Sequence, residues 1–125
     1  MPARLAPVTR ALLATLALVP LLCHAGEIDR ETAIRLLDDP RTLLVDVRTP
    51  QEQAQGMLAG AQPVETAQLG GRIGALAPDK DTPIVLYCRS GRRSSEAQEL
   101  LRELGYRQVV NGGGYDDLRA ALHGH

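Results

Sequence analysis

From residue 27 onward the chain switches repeatedly between two periods of hydrophobicity. "EIDRETAIRLLDD" places Ile34, Leu36 and Leu37 on one helical side behind Asp29, which predicts a helix capped by Asp29 and ended before Pro40. "TLLVDV", residues 42–47, is a continuous apolar run with Asp46 near its end, the pattern of a strand covered on both faces. "PQEQAQ" predicts a short helical piece from Pro50 that stops at Gly56. "TAQLGGRIGAL" sets Leu69, Ile73 and Leu76 at helical spacing, although Gly70, Gly71 and Gly74 weaken that helix. After a turn at Pro78 and "DKDTP", "IVLYC", 84–88, is a second buried strand. "SSEAQELLRELG", 94–105, is the clearest helix, with Leu100, Leu101 and Leu104 on one side and Gly105 as its stop. "RQVV" predicts a last strand, "NGGGY" a loop and "DDLRAALH" a closing helix capped by Asp116.

Strands alternating with helices define an α/β domain with a mostly parallel central sheet and helices on both faces. In such sheets ligands sit beyond the carboxyl ends of the strands, and Cys88 lies at one of those ends. No internal repeat or long linker interrupts residues 26–125, so they read as one domain.

The residues before them read differently. "MPARLAPVTRALLATLALVPLLCHAG" has Arg4 and Arg10, an apolar run from Ala11 to Leu22, and small residues around Ala25. This is the layout of a cleaved secretory signal peptide over residues 1–25; the apolar run is short for a bilayer span and carries Pro20, which disfavours an uncleaved anchor. Leu22 disfavours acylation of Cys23, and without a twin arginine the general secretion route fits, which makes a periplasmic protein with no stable membrane anchor the expectation.

Cleavage sharpens the chemistry. It removes two arginines and no acid, so a formal net charge of −1 becomes more negative, a poor basis for binding nucleic acid. With no Phe or Trp and three tyrosines, the chain also lacks stacking platforms for bases. Cys88 becomes the single cysteine, and an unpaired thiol in an oxidising compartment is a liability unless buried or used. One cysteine and two tail histidines do not make a metal-ligand set, and neither "GGRIG" nor "NGGG" is followed by the Gly-Lys-Ser/Thr of a P-loop, so no metal or cofactor is expected. Both glycine stretches read as turns, and Gly112 to Gly114 could border the cysteine pocket.

"YCRSGRRSS", residues 87–95, is strand, loop and helix start, with Gly91 permitting a tight turn. Backbone amides curling toward the sulfur, backed by the positive end of the following helix and by Arg89, Arg92 and Arg93, form an anion-binding nest that lowers a thiol pKa from about 8.5. Taken alone, such a cysteine is an inert buried hydrophobe and such arginines a solvated face; the glycine, the arginines and the helix start together favour a reactive thiol. His123 and His125 lie at the tail, and a Cys-His pair would require it to fold back over the loop, so the nucleophile relies on dipoles and arginines. A neutral ester or peptide needs a proton donor for its leaving group, whereas sulfane sulfur transfer releases a stable anion and needs none.

"DVRTPQEQAQG", "YCRSGRRSSEAQELLRELGY" and "VVNGGGYDDL" resemble, in order and spacing, the hallmark segments of the rhodanese family, and with its signal peptide the chain resembles small single-domain periplasmic rhodaneses. The resemblance implies a rhodanese-like domain over residues 26–125 with a sheet of about five strands. It implies a thiosulfate sulfurtransferase in which Cys88 takes sulfur from a small anionic donor such as thiosulfate, becomes a persulfide, and passes the sulfur to cyanide or a thiol acceptor. Arg89, Ser90, Gly91, Arg92 and Arg93 would cradle the donor and the persulfide, and the Asp46-x-Arg48 element would brace loops at the sheet edge. A different class of role, a persulfide carrier or binding module with little turnover of its own, fits the same loop. Phosphatases of the related fold place an arginine after Cys and five residues; here that position is Ser94 and Arg93 comes one earlier, which favours sulfur over phosphate. Departures from the family lie at Gln53, where an aromatic is common, and at Gly56-Met57-Leu58 and Pro63-Val64-Glu65.

Overall fold

The computed structural model describes residues 27–124; the predicted signal segment lies outside the described residues. Four parallel strands form the sheet: β1 (Leu43–Asp46), β2 (Gln62–Pro63), β3 (Ile84–Cys88) and β4 (Val109–Gly114), in the order β2-β1-β3-β4. A bridge from Ile28 to Asn111 lays a further extended residue beside β4, so the expected fifth strand is present as a single parallel contact. β2, which the apolar pattern does not reveal, is two exposed residues on the sheet edge, where Pro63 need not donate to a ladder.

Five helices cover the sheet: α1 (Arg30–Leu37), α2 (Pro50–Ala54), α3 (Thr66–Leu76), α4 (Arg92–Glu103) and α5 (Tyr115–His123). Side chains alternate across the strands, so Leu44, Val85 and Tyr87 pack with Ala33 of α1 and Leu118 of α5, while Val45, Ile84, Leu86 and Cys88 pack with Leu69 and Ile73 of α3 and Ala97 and Leu101 of α4. Each fully buried aliphatic side chain contributes about 1.5–3 kcal/mol, and the glycines of α3 are tolerated because Leu69 and Ile73 supply this burial.

The helix starts follow local chemistry. Asp29 Oδ1 accepts the Thr32 amide at 3.0 Å, as its capping position predicts. Thr49 and Glu52 form a capping box ahead of Pro50, which sets the first turn of α2. α4 begins at Arg92 rather than Ser94, because Gly91 at φ 96° turns the chain directly from β3 into the helix. The "NGGG" loop and the Asp116 cap are corrected as well. Residues 111–114 continue β4, with Leu86 opposite Asn111 and Cys88 opposite Gly114, so the extra residue on β4 forms a bulge and α5 starts at Tyr115 without a side-chain cap.

The Asp46-x-Arg48 element does brace the sheet edge. Arg48 Nε donates to Asp46 Oδ1 at 2.9 Å, Arg48 Nη2 to Asp46 Oδ2 at 2.7 Å and to the Gly56 carbonyl at 2.6 Å, and the guanidinium lies 4.3 Å from the Tyr115 ring centroid. Gln53, in place of an aromatic, donates to the carbonyls of Asp46 and Arg48 at 3.1 and 3.0 Å, while the Leu58 amide donates to Tyr87 Oη at 3.1 Å. The departure at Gln53 is thereby met by hydrogen bonds to backbone carbonyls at and just beyond the end of β1. Asp46 is fully buried, so replacing Arg48 strands a carboxylate. Arg48→Met is expected to lower the urea unfolding free energy by about 3–5 kcal/mol; a loss within the ~0–1 kcal/mol of exposed pairs would show the brace to be dispensable.

Candidate functional site

The site is built where β3 ends. Its five residues are all buried, and the last, Cys88, is fully so. The chain turns at Gly91, whose positive φ suits glycine and where a Cβ would stand 2.6 Å from Ile28 Cδ1. From the other side β4 presses Gly114 onto the loop: a Cβ there would lie 2.5 Å from the Arg89 carbonyl oxygen. The glycine stretch expected to border the pocket therefore does so, by backbone contact.

Within this fold the sulfur meets the start of α4. The Gly91 amide donates to Cys88 Sγ at 2.9 Å, and Ser94 Oγ lies 3.3 Å from it. α4 has no side-chain cap, so the sulfur takes the place that a capping oxygen fills elsewhere. Burial is the largest single influence on the thiol and pushes its pKa up; the Ser94 hydroxyl and the amides of Ser94, Ser90 and Gly91 together outweigh it and hold the thiol below its ordinary value. Among the described residues no histidine takes part: His123, at the end of α5, is exposed.

The arginines divide into two kinds. Arg89 and Arg92 are exposed, whereas Arg93 is drawn onto Glu52 of α2, with Nη1 to Oε1 at 2.7 Å and Nη2 to Oε2 at 3.0 Å. Arg93 thus belongs to an ion pair that ties the cysteine loop to α2. That pair, with the Thr49 amide and hydroxyl, holds Glu52 down at about 2. Arg92 and Arg93 also place two cations, and no acid, in the first turn of α4, an arrangement the helix dipole disfavours unless an anion sits there.

A cleft of about 570 Å³ opens between α2 and α5 beside the loop, with Arg89 on one side, Arg48, Glu52 and Gly56 on another and Arg119 and Asp116 on α5. The structure brings Cys88, Ser90, Gly91 and the start of α4 together, leaves Arg89 at the cleft and Arg92 at the surface, and turns Arg93 toward Glu52. Sequence reasoning missed Glu52, Asn111 and Arg119. Glu52 carries a local signal only as the capping-box partner of Thr49; Arg119 carries none.

A parallel sheet that delivers one buried cysteine to an amide cup at a helix start is the architecture of the rhodanese family, and this chain belongs to it: the Rhodanese-like domain model matches residues 29–121. Among individual proteins, it is 38% identical over 74 residues to the thiosulfate sulfurtransferase PspE of Escherichia coli, covering 59% of this chain and 71% of that one. It is 43% identical over 87 residues to a sulfurtransferase of Allochromatium vinosum, covering 69% and 79%. A solved rhodanese with anions from E. coli superposes with a TM-score of 0.59 at 37% identity, over 61% of this chain and 89% of the other. Sulfur transfer is the class of activity these relatives support.

The Glu52 pair makes the loop acid-sensitive. A carboxylate depressed from 4.5 to about 2 contributes stability that is complete above pH 4.5 and lost as pH falls toward 2. Comparing the denaturant midpoints of the protein and Glu52→Gln across that range should show a gap that closes on acidification; a gap independent of pH would remove the ion pair from the account.

Proposed function

We propose that the protein is a thiosulfate sulfurtransferase that works through a persulfide on Cys88. The supporting observation is the placing of Cys88 Sγ in the amide cup of α4, 2.9 Å from the Gly91 amide and 3.3 Å from the Ser94 hydroxyl, with no imidazole among its partners in the described residues. Such a cup stabilises charge on sulfur without supplying a proton, which suits a reaction whose leaving group is already a stable anion.

In the first half-reaction the Cys88 thiolate attacks the outer sulfur of thiosulfate. A bond forms between Sγ and that sulfur, the donor's S–S bond breaks with its electron pair on sulfite, and Cys88 carries the outer sulfur as a persulfide anion. In the second, cyanide attacks the outer sulfur; thiocyanate leaves and the pair returns to Sγ. A thiol acceptor follows the same course. Arg89 and Arg92 attract the donor's sulfonate, and the amides of Ser90 and Gly91 hold the sulfur. Arg93 acts one step back, through its hold on Glu52. PspE, named for the thiosulfate reaction, shares 38% identity with the chain, which supports the choice of donor. The reading places the protein in the periplasm, after removal of residues 1–25 by the general secretion route.

Mixing the protein with thiosulfate should release sulfite and add one sulfur mass to Cys88, and cyanide should then yield thiocyanate; Cys88→Ser should lose both. If sulfur appears on Cys88 only when a partner protein supplies it, the carrier role replaces the enzyme. The rate of Cys88 alkylation should rise with pH and reach its midpoint below the free-thiol value of about 8.5, and sulfite release should follow the same limb. A midpoint at or above that value would refute an activated thiolate.

A further inference from the structure

When Cys88 Sγ is a thiolate, and so can only accept, the hydrogen bonds around Ser94 cannot all be made at once. Its hydroxyl is fully buried and has a single proton, yet it faces two acceptors: Cys88 Sγ at 3.3 Å and Asn111 Oδ1 at 2.7 Å. Asn111 is itself fully buried on β4. Its Oδ1 also accepts the Gly113 amide at 2.9 Å, and its Nδ2 donates to the Gly91 carbonyl at 2.9 Å. That pairing fixes which end of the amide faces Ser94: the oxygen must, because the nitrogen is committed to a carbonyl.

We propose that Ser94 and Asn111 form a hydroxyl switch that follows the charge on Cys88, with Asn111 the positioning residue that takes the serine proton whenever the sulfur does not need it. The proposal rests on the reading of Cys88 as the sulfur nucleophile. When Sγ is a thiolate, the Ser94 hydroxyl donates to it, and Asn111 Oδ1 keeps the Gly113 amide as a donor. Once the Sγ–S bond of the persulfide forms, the negative charge sits on the outer sulfur, Sγ becomes a poor acceptor, and the hydroxyl turns to Asn111. When the acceptor removes the outer sulfur, the electron pair returns to Sγ and the hydroxyl turns back. No proton leaves Ser94 in either direction; one hydrogen bond is exchanged for another by rotation about a single bond. Both acceptors are buried, so water cannot stand in for the hydroxyl, and without Asn111 the serine would lack an acceptor in the neutral state.

This gives the two residues opposite effects on the thiol. Ser94 favours the charged sulfur. Asn111 competes for the serine proton and so favours the uncharged one. A residue that merely buttressed the loop would act with one sign only, since a loosened loop loses amide donors and raises the titration.

The test is the pH dependence of iodoacetamide alkylation in the full chain, with the label at Cys88 read by peptide mass spectrometry. Ser94→Ala should raise the alkylation midpoint by about one pH unit, and Ser94→Thr, which keeps the hydroxyl, should return it. Asn111→Leu should lower the midpoint by about half a unit, and the same change made on top of Ser94→Ala should not move it further. Any result for Asn111→Leu other than a fall that depends on Ser94 overturns the switch. Should that variant not fold, the serine pair decides: no rise in Ser94→Ala, or a rise that Ser94→Thr leaves in place, overturns it equally. Alkylation of the sulfur-free protein reports the thiol and does not depend on its taking up sulfur. Failure of sulfur loading in the unaltered protein would therefore sink the sulfurtransferase reading while leaving these shifts to be judged separately.

Discussion

A sulfur held at the end of a buried strand, at a position with no solvent exposure, is the constraint on which the rest of the architecture depends. Water cannot solvate it there, so the backbone must, and the unpaired amides at the start of a helix are the donors a protein has for that purpose. This demands a chain that leaves the end of a buried strand and enters a helix within three residues, which Gly91 achieves by its positive φ. It also demands that the turn be held rigid, because an amide that drifts by half an ångström solvates little. Ile28 on one side of Gly91, Gly114 against the Arg89 carbonyl and Asn111 on the Gly91 carbonyl supply that rigidity from three separate stretches of chain.

A second tier of contacts joins this cup to the sheet edge. The buried Asp46–Arg48 pair fixes the path of the chain to Gly56, the Thr49–Glu52 capping box sets the start of α2, and Glu52 then reaches across to Arg93. Each bond is local except the last. Through it, the geometry of the capping box is transmitted to the first turn of α4, and the cleft between α2 and α5 acquires one wall that cannot move independently of the cysteine loop.

Much of this was legible in the sequence. Continuous apolar runs marked β1 and β3, Asp29 and Gly105 marked the ends of α1 and α4, and Gly91 marked the tight turn from β3 into α4. What escaped has a common physical character: it depends on residues far apart in sequence. β2 is too short to carry a period, and it exists because β1 offers an open edge. "NGGG" has the composition of a loop, but pairing with β3 draws it into the sheet, with Asn111 opposite Leu86 and a bulge between it and Gly114. Arg93 reads as an anion ligand from its neighbours alone, and only the position of α2 turns it into the partner of Glu52.

That last point bears on which anion the cup suits. A phosphoryl group transferring to a thiolate spreads charge over several oxygens and is served by a guanidinium reaching into the loop. Here the arginine nearest that role is neutralised by Glu52, and the position after it carries the Ser94 hydroxyl, 3.3 Å from the sulfur. What remains inside the cup is a set of amides and one hydroxyl, all directed at a single atom. Such a set stabilises charge that resides on sulfur and does little for charge spread over distant oxygens. Arg89, at the cleft, and Arg92, at the surface, stand outside the cup, and in the proposed reaction they attract the donor's oxyanion. In the proposed reaction the two tasks separate, with the sulfur held by the amides within the cup and the oxyanion met by arginine at the exposed side of the loop.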